Sequence, residues 1–172
     1  MKTLYTALLL FVFNPSLAAP TSSGDWHFDF TDDGFAYAAT TNADGRVLGQ
    51  YCYYTSESCY YVTALGITCT EDREFPSIIN SNNGVADITM VCGPETNQGN
   101  LLFIKPFADI DRIVRKADRV GFAVAMDGGT FKVVRFSLSG SSNAIERMRK
   151  GTEELLDRNK PEVLEKKDEL YL

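Results

Sequence analysis

Four cysteines carry most of the chemistry that this sequence offers, and all of them fall between Cys52 and Cys92. Their spacing is Cys-x6-Cys-x9-Cys-x22-Cys. A structural zinc site draws its ligands from cysteine pairs about two to four residues apart, or adds histidines. This chain has a single histidine, His27, and no such pair. A redox-active dithiol needs Cys-x-x-Cys at a helix N-terminus, where one thiol pKa falls. Six residues separate Cys52 from Cys59 in a strand-rich segment, so that chemistry is not supported either. The remaining use is covalent. An even cysteine count in an exported chain implies disulfides.

The stretch QYCYYTSESCYY (Gln50 to Tyr61) repeats Cys-Tyr-Tyr on both sides of a polar turn. If Tyr54 to Glu57 form the turn of a hairpin, Cys52 and Cys59 sit opposite each other, within the separation a disulfide accepts. The pair Cys69–Cys92 follows by elimination. The loop-entropy relation gives roughly 2.5 kcal/mol for the smaller ring and roughly 3.4 kcal/mol for the larger. Alternation along the same hairpin puts Tyr51 and Tyr53 on one face, with Tyr60 opposite Tyr51. Aromatic pairs of this kind stabilise a sheet; exposed, they form a recognition surface for protein or sugar. Tyr51, Tyr53 and Tyr60 are therefore the candidate binding residues.

No other constellation adds a site. His27 has no local partners for a catalytic triad, and no Gly-rich phosphate loop follows a strand. Asp25, Asp29, Asp32 and Asp33 cluster before Gly34, but their order departs from a calcium loop. No metal, cofactor or catalytic residue is expected. Two paired carboxylates of a hydrolase would leave no trace in sequence, so a hydrolase is kept as a minor alternative.

These residues need a scaffold, and the patterning describes one. Strand-like alternation runs from Trp26 to Tyr61, broken at Asn42-Ala43-Asp44-Gly45, where Asp-Gly suits a tight turn. A further strand is expected in YYVTALGITCT, a short one over Ser77–Asn80, and a turn at Asn80–Gly84. VADITMVC points Ala86, Ile88, Met90 and Cys92 one way, and Val85, Asp87, Thr89 and Val91 the other. Gly93–Asn100 reads as a loop and LLFIK as a strand. Phe107, Ile110, Ile113 and Val114 share one helical face after Pro106. Strands over Arg119–Met126 and Thr130–Leu138 flank a turn at Asp127-Gly128-Gly129. Asn143 and Glu146 have capping-box spacing, and a final helix starts near them, with Pro161 breaking it. The expected fold is mainly β: an antiparallel sandwich or barrel-like domain with one short internal helix and a C-terminal helix.

Residues 1–18 read as a signal peptide: Lys2, an apolar run from Leu4 to Phe13, and Ser16-Leu17-Ala18 before the expected cleavage point. That apolar run is about half of what a membrane span needs. Residues 19–150 are expected to form a single β-rich domain and 151–172 a charged helical tail, with no membrane span after cleavage. The chain of 172 residues has a formal charge of −6. From Ala19 to Asn143 there are 9 Lys/Arg against 15 Asp/Glu, an acidity that disfavours nucleic acid and anionic membranes as partners.

The segment RVGFAVAMDGGTFKVVRFSLSGSSNAIERM, together with Trp26, resembles the C-terminal part and the opening of the invasion-associated locus B family of small exported bacterial proteins. The resemblance covers about a third of the domain. The arrangement of Cys52, Cys59, Cys69 and Cys92 departs from the family, and no functional residue is carried over. It implies a β-sandwich-like periplasmic protein associated with the cell envelope or host interaction. The functional expectation is an exported, disulfide-stapled, non-enzymatic β domain, periplasmic or secreted, that binds a protein or envelope component. The alternative is a carbohydrate-binding module using the tyrosine-rich hairpin.

Overall fold

A computed structural model describes residues 21–126 and 128–159. The expected signal segment, the residue Asp127 of the last hairpin turn and the expected break at Pro161 lie outside the described residues. Among the described residues ten strands and two helices follow one another. They are β1 (Thr21–Ser23), β2 (Trp26–Phe30), β3 (Phe35–Thr41), β4 (Val47–Tyr53), β5 (Ser58–Ala64), β6 (Glu74–Ser81), β7 (Gly84–Thr96), β8 (Gly99–Lys105), α1 (Phe107–Lys116), β9 (Arg119–Met126), β10 (Thr130–Ser137) and α2 (Ser141–Asn159). The fold is mainly β and fully antiparallel, with one internal and one C-terminal helix. All ten strands belong to one sheet, in the order β1-β2-β3-β4-β5-β8-β7-β6-β9-β10.

The sheet curls without closing into a barrel. Its ends approach closely enough for the Trp26 indole N–H to donate to the Ser137 carbonyl at 3.1 Å, and for the Asp25 N–H to donate to Ser139 O at 2.9 Å. Trp26 is fully buried, so it fills the core and ties β2 to the end of β10. The inner face carries Trp26, Phe28, Leu48, Tyr61, Ile79, Met90, Leu102, Phe122 and Phe136, and both helices lie against it through Ile110, Val114, Ile145 and Met148. Each large apolar side chain buried this way contributes about 1.5–3 kcal/mol.

Alternation in VADITMVC is as expected: Ile88, Met90 and Cys92 are buried. Other boundaries differ from the sequence reading. Gly93–Asn100 is mostly strand rather than loop. β7 continues to Thr96 across a bulge between Cys92 and Glu95, and the turn to β8 is short. β5 ends at Ala64; beyond it Gly66 takes a positive φ of 67°, and the Asn100 side chain accepts from the Cys69 N–H. β6 begins at Glu74 and holds Pro76. Proline fits there because the β6–β9 ladder starts only at Ser77, so its missing N–H leaves no vacancy in that ladder.

Asn143 does not cap α2. The helix starts at Ser141, two residues earlier, immediately after Gly140 at φ 86°. A Cβ on Gly140 would sit 1.8 Å from Ser23 O, so only glycine lets the chain turn against β1. The Ser141 hydroxyl then donates to Val114 O at 2.6 Å, joining the start of α2 to the end of α1. α2 runs without interruption from Ser141 to Asn159. No helix among the described residues is long and apolar enough to cross a membrane.

Candidate functional site

The β4–β5 hairpin has the register that the repeated Cys-Tyr-Tyr suggests. Cys52 pairs with Cys59 and Tyr51 with Tyr60, around a loop of Tyr54 to Glu57. Cys52–Cys59 is a disulfide with Cα atoms 4.0 Å apart. Cys69–Cys92 is the second, at 6.1 Å. Cys52 and Cys92 are buried, so both bonds are part of the interior and brace the sheet. The first locks a hairpin. The second pins the irregular 65–73 segment to β7.

Because Cys52 points inward, its neighbours Tyr51 and Tyr53 point outward. The register then extends this aromatic face across the sheet. Tyr37 of β3 lies opposite Tyr51, and Phe35 lies opposite Tyr53. On the other side, the inward Tyr61 faces Ile104 of β8, which leaves Phe103 pointing outward. The rings touch in a continuous chain. Tyr37 stacks on Tyr51 at 5.9 Å, and Phe35 contacts Tyr37, Tyr51 and Tyr53 at 6.5, 6.0 and 5.9 Å. Tyr53 meets Tyr60 at 6.1 Å, and Tyr60 meets Phe103 at 6.0 Å. Tyr53 and Tyr60 are 37% and 44% exposed, while the other four are half-buried beneath and beside them. Burial raises the pKa of Tyr51 above the ordinary phenol value, helped by Tyr37 and Tyr53. Burial also raises that of Tyr37, with Asp29 adding to it. Both hydroxyls therefore stay protonated at physiological pH.

Each aromatic pair is worth about 0.5–1.5 kcal/mol beyond its area, so the cluster stiffens the sheet as well as shaping its surface. Phe35, Tyr37 and Phe103 share this face with Tyr51, Tyr53 and Tyr60, and the sequence pattern of the hairpin does not single them out. For Phe35 and Tyr37 a signal existed. FAYAATT alternates aromatic with alanine, and pairing Ala36 with Cys52 would have put both rings on the tyrosine face. Phe103 had no local signal, because β8 joins β5 across forty residues of intervening chain (roughly the distance from Tyr61 to Phe103).

A second polar constellation lies on the inner face, where α1 and α2 meet the hairpin. Tyr61 is fully buried and its hydroxyl donates to Asp111 Oδ1 at 2.8 Å. Arg149 donates to the same oxygen, and Arg115 stands 3.8 Å from Oδ2. Arg149 Nε also donates to Gln50 Oε1 at 2.7 Å, and its guanidinium lies 5.6 Å from the centre of the Phe107 ring. Burial drives the Tyr61 pKa upward, and the Asp111 carboxylate pushes it further. Asp111 is thus occupied by three partners from α1, α2 and β5. The group acts as a clasp, since it ties α1, α2 and β5 together through one carboxylate.

Of the other residues considered in the sequence, His27, Asp25 and Asp29 have polar partners. His27 Nδ1 is 2.9 Å from Ser22 Oγ on the exposed edge. Asp25 accepts from Ser137 Oγ, and Asp29 accepts from the Phe30 N–H.

No protein-family model matches this chain, and no curated protein matches it. Among solved structures, it is similar to the crystal structure of invasion associated protein b from Bartonella henselae. The likeness covers 79% of this chain and 99% of that one, with a TM-score of 0.57 and 14% sequence identity. The resemblance read in the strand-turn-strand-helix segment therefore extends to the fold of nearly the whole described domain. At that identity the likeness is one of architecture.

Proposed function

We propose that this chain is an exported, non-enzymatic β domain, periplasmic or secreted, that binds a protein or envelope component through the outward aromatic face of β3, β4, β5 and β8. The observation that carries the reading is the exposure of Tyr53 and Tyr60 at the centre of a six-ring cluster. Contiguous exposed aromatic surface on a sheet is costly to leave in water and is enriched where partners dock. Tyrosine suits that use because it brings a large rigid contact area with a polar tip. Export is supported by the signal-like residues 1–18 and by two disulfides, which persist in oxidising compartments. The name of the similar Bartonella protein adds support for a role facing the envelope or a host, but only by analogy of fold.

A carbohydrate ligand has less behind it. Stacking on sugars needs free ring faces, and here most rings meet at tilted or edge-on angles of 44–83°, so the edges of neighbouring rings lie against several of those faces. The test is affinity capture from a periplasmic extract by the wild-type chain and by Tyr53→Ser/Tyr60→Ser, alongside a glycan array. A protein held by the wild type and lost by the double variant supports the reading. Equal recovery by both forms contradicts it, and variant-sensitive glycan binding transfers the face to the carbohydrate alternative.

A further inference from the structure

A second outward surface lies at the opposite end of the sheet, on β6, β9 and β10, and it has a different chemistry. Its floor is Gly121. In register, Gly121 stands between Asn80 of β6 and Arg135 of β10. With no side chain there, a hollow of about 450 Å³ opens, bordered by Asn80, Arg119, Ala123, Val133 and Arg135. That volume is at the lower end of ligand sites, which run to about 300–1,000 Å³.

One flank of the hollow is apolar. Ile78, Ala123 and Val133 form a row across three strands. Ile78 and Val133 are 42% and 47% exposed, and Phe131, the next outward residue of β10, is 65% exposed. The other flank is cationic. Arg119 and Arg135 lie diagonally across Gly121, both exposed. Neither makes an ion pair among the described residues. Asp118, beside Arg119 in sequence, already accepts from Asn82 Nδ2 at 3.1 Å. Two arginines without an ion pair among the described residues thus line one hollow of a chain whose net charge is −6. Arginine binds carboxylates through a planar, bidentate fork.

The surface is also open along one edge. β10 bonds to β9 through its even-numbered residues, a pattern continued by the Leu138 N–H donating to Asp118 O. Odd-numbered peptide groups point off the sheet. Two of their carbonyls are covered, that of Arg135 by the Asn42 side chain and that of Ser137 by the Trp26 indole. The carbonyls of Phe131 and Val133 have no such partner among the described residues, so that stretch of the β10 edge is unpaired.

We propose that this surface docks a segment of a partner protein that presents a carboxylate next to an aliphatic side chain. The carboxylate sits between Arg119 and Arg135, and the aliphatic group rests on Val133, Ala123 and Ile78. This site is separate from the tyrosine face and does not depend on it.

The test uses the purified, disulfide-intact chain as bait for a phage-displayed library of random peptides. The best binder is then synthesised and titrated against three variants. Selected peptides should place Asp or Glu beside Val, Ile or Leu. Binding should fall at least about tenfold for Arg119→Glu/Arg135→Glu and stay unchanged for Tyr53→Ser/Tyr60→Ser. Gly121→Ala is the control for shape. Its added Cβ would meet Arg135 Cγ at 3.5 Å and Asn80 O at 3.7 Å, ordinary contacts, so the fold is kept while the floor rises. It should weaken binding several-fold with an unchanged circular dichroism spectrum. Four results would overturn the proposal: no enrichment, binders without a carboxylate, equal affinity for the charge-reversed variant, or loss of binding only in the tyrosine variant. Sedimentation showing a wild-type dimer that Arg119→Glu/Arg135→Glu dissolves would also overturn it, by giving the surface to a second copy of this chain.

Discussion

Replacing Arg149 with methionine isolates the clasp that fixes both helices to the hairpin. Methionine keeps most of the aliphatic stem and removes the guanidinium, together with its approach to the Phe107 ring. Arg149 and Asp111 side chains are 27% and 19% exposed, between a surface pair worth about 0–1 kcal/mol and a buried pair costing about 3–5 kcal/mol to break. About 1.5 kcal/mol is reasonable for the ion pair, because Tyr61 and Arg115 still hold Asp111. Gln50 adds to the loss. It is fully buried, its Nε2 already has no partner among the described residues, and Arg149 is the donor to its Oε1. Stranding that carbonyl costs about 1 kcal/mol, the low end for a buried polar group. Arg149→Met should therefore lose about 2.5 kcal/mol, which lowers the urea midpoint by about 1–2 M. Adding Gln50→Leu removes the stranded amide. The double variant should be about 1 kcal/mol more stable than Arg149→Met alone. Urea unfolding followed by tryptophan fluorescence reads both quantities, since Trp26 is the sole tryptophan. A loss under about 0.5 kcal/mol for Arg149→Met, or a double variant no more stable than the single one, would refute the reasoning.

Two more outcomes are expected. Replacing Cys52 and Cys59 by alanine should cost roughly 2.5 kcal/mol, and replacing Cys69 and Cys92 roughly 3.4 kcal/mol; urea titrations should show the larger ring costing more. Folding raises the pKa of Tyr61, chiefly by burial, so the native state holds a proton that the unfolded chain releases near pH 10. That contribution is complete below pH 10 and is lost as the pH climbs above it. Urea midpoints should fall between about pH 10 and 11.5, less steeply in Tyr61→Phe, and an equal slope in both proteins counts against the assignment.

Local rules were legible where the chemistry is local. The Cys52–Cys59 hairpin, the alternation of Ile88, Met90 and Cys92, and α1 from Ile110, Ile113 and Val114 all follow from spacing between near neighbours. Errors arose where distant contacts decide. Gly93–Asn100 looks like a loop because Gly93, Pro94 and Gly99 are turn residues, yet β8 pairs with it and a bulge absorbs the mismatch. Asn143 looks like a cap, but Ser141 is claimed by Val114 O and Gly140 by the approach of Ser23. The strand order β5-β8-β7-β6-β9 is non-sequential, so nothing in the sequence shows that Phe103 joins the tyrosines, or that Asn80 of β6 borders the hollow beside the β9–β10 hairpin. Asp111 and Arg149 are 38 residues apart in the chain, and their meeting is likewise a product of the tertiary fold.

Site-specific photo-crosslinking tests the aromatic face most directly. A benzophenone side chain in place of Tyr60, on that face, is compared with one in place of Glu153, exposed on α2, in cells that naturally make the protein. A discrete cross-linked species is expected from position 60 and none from position 153. The same bands from both positions, or no species from position 60, would contradict that expectation.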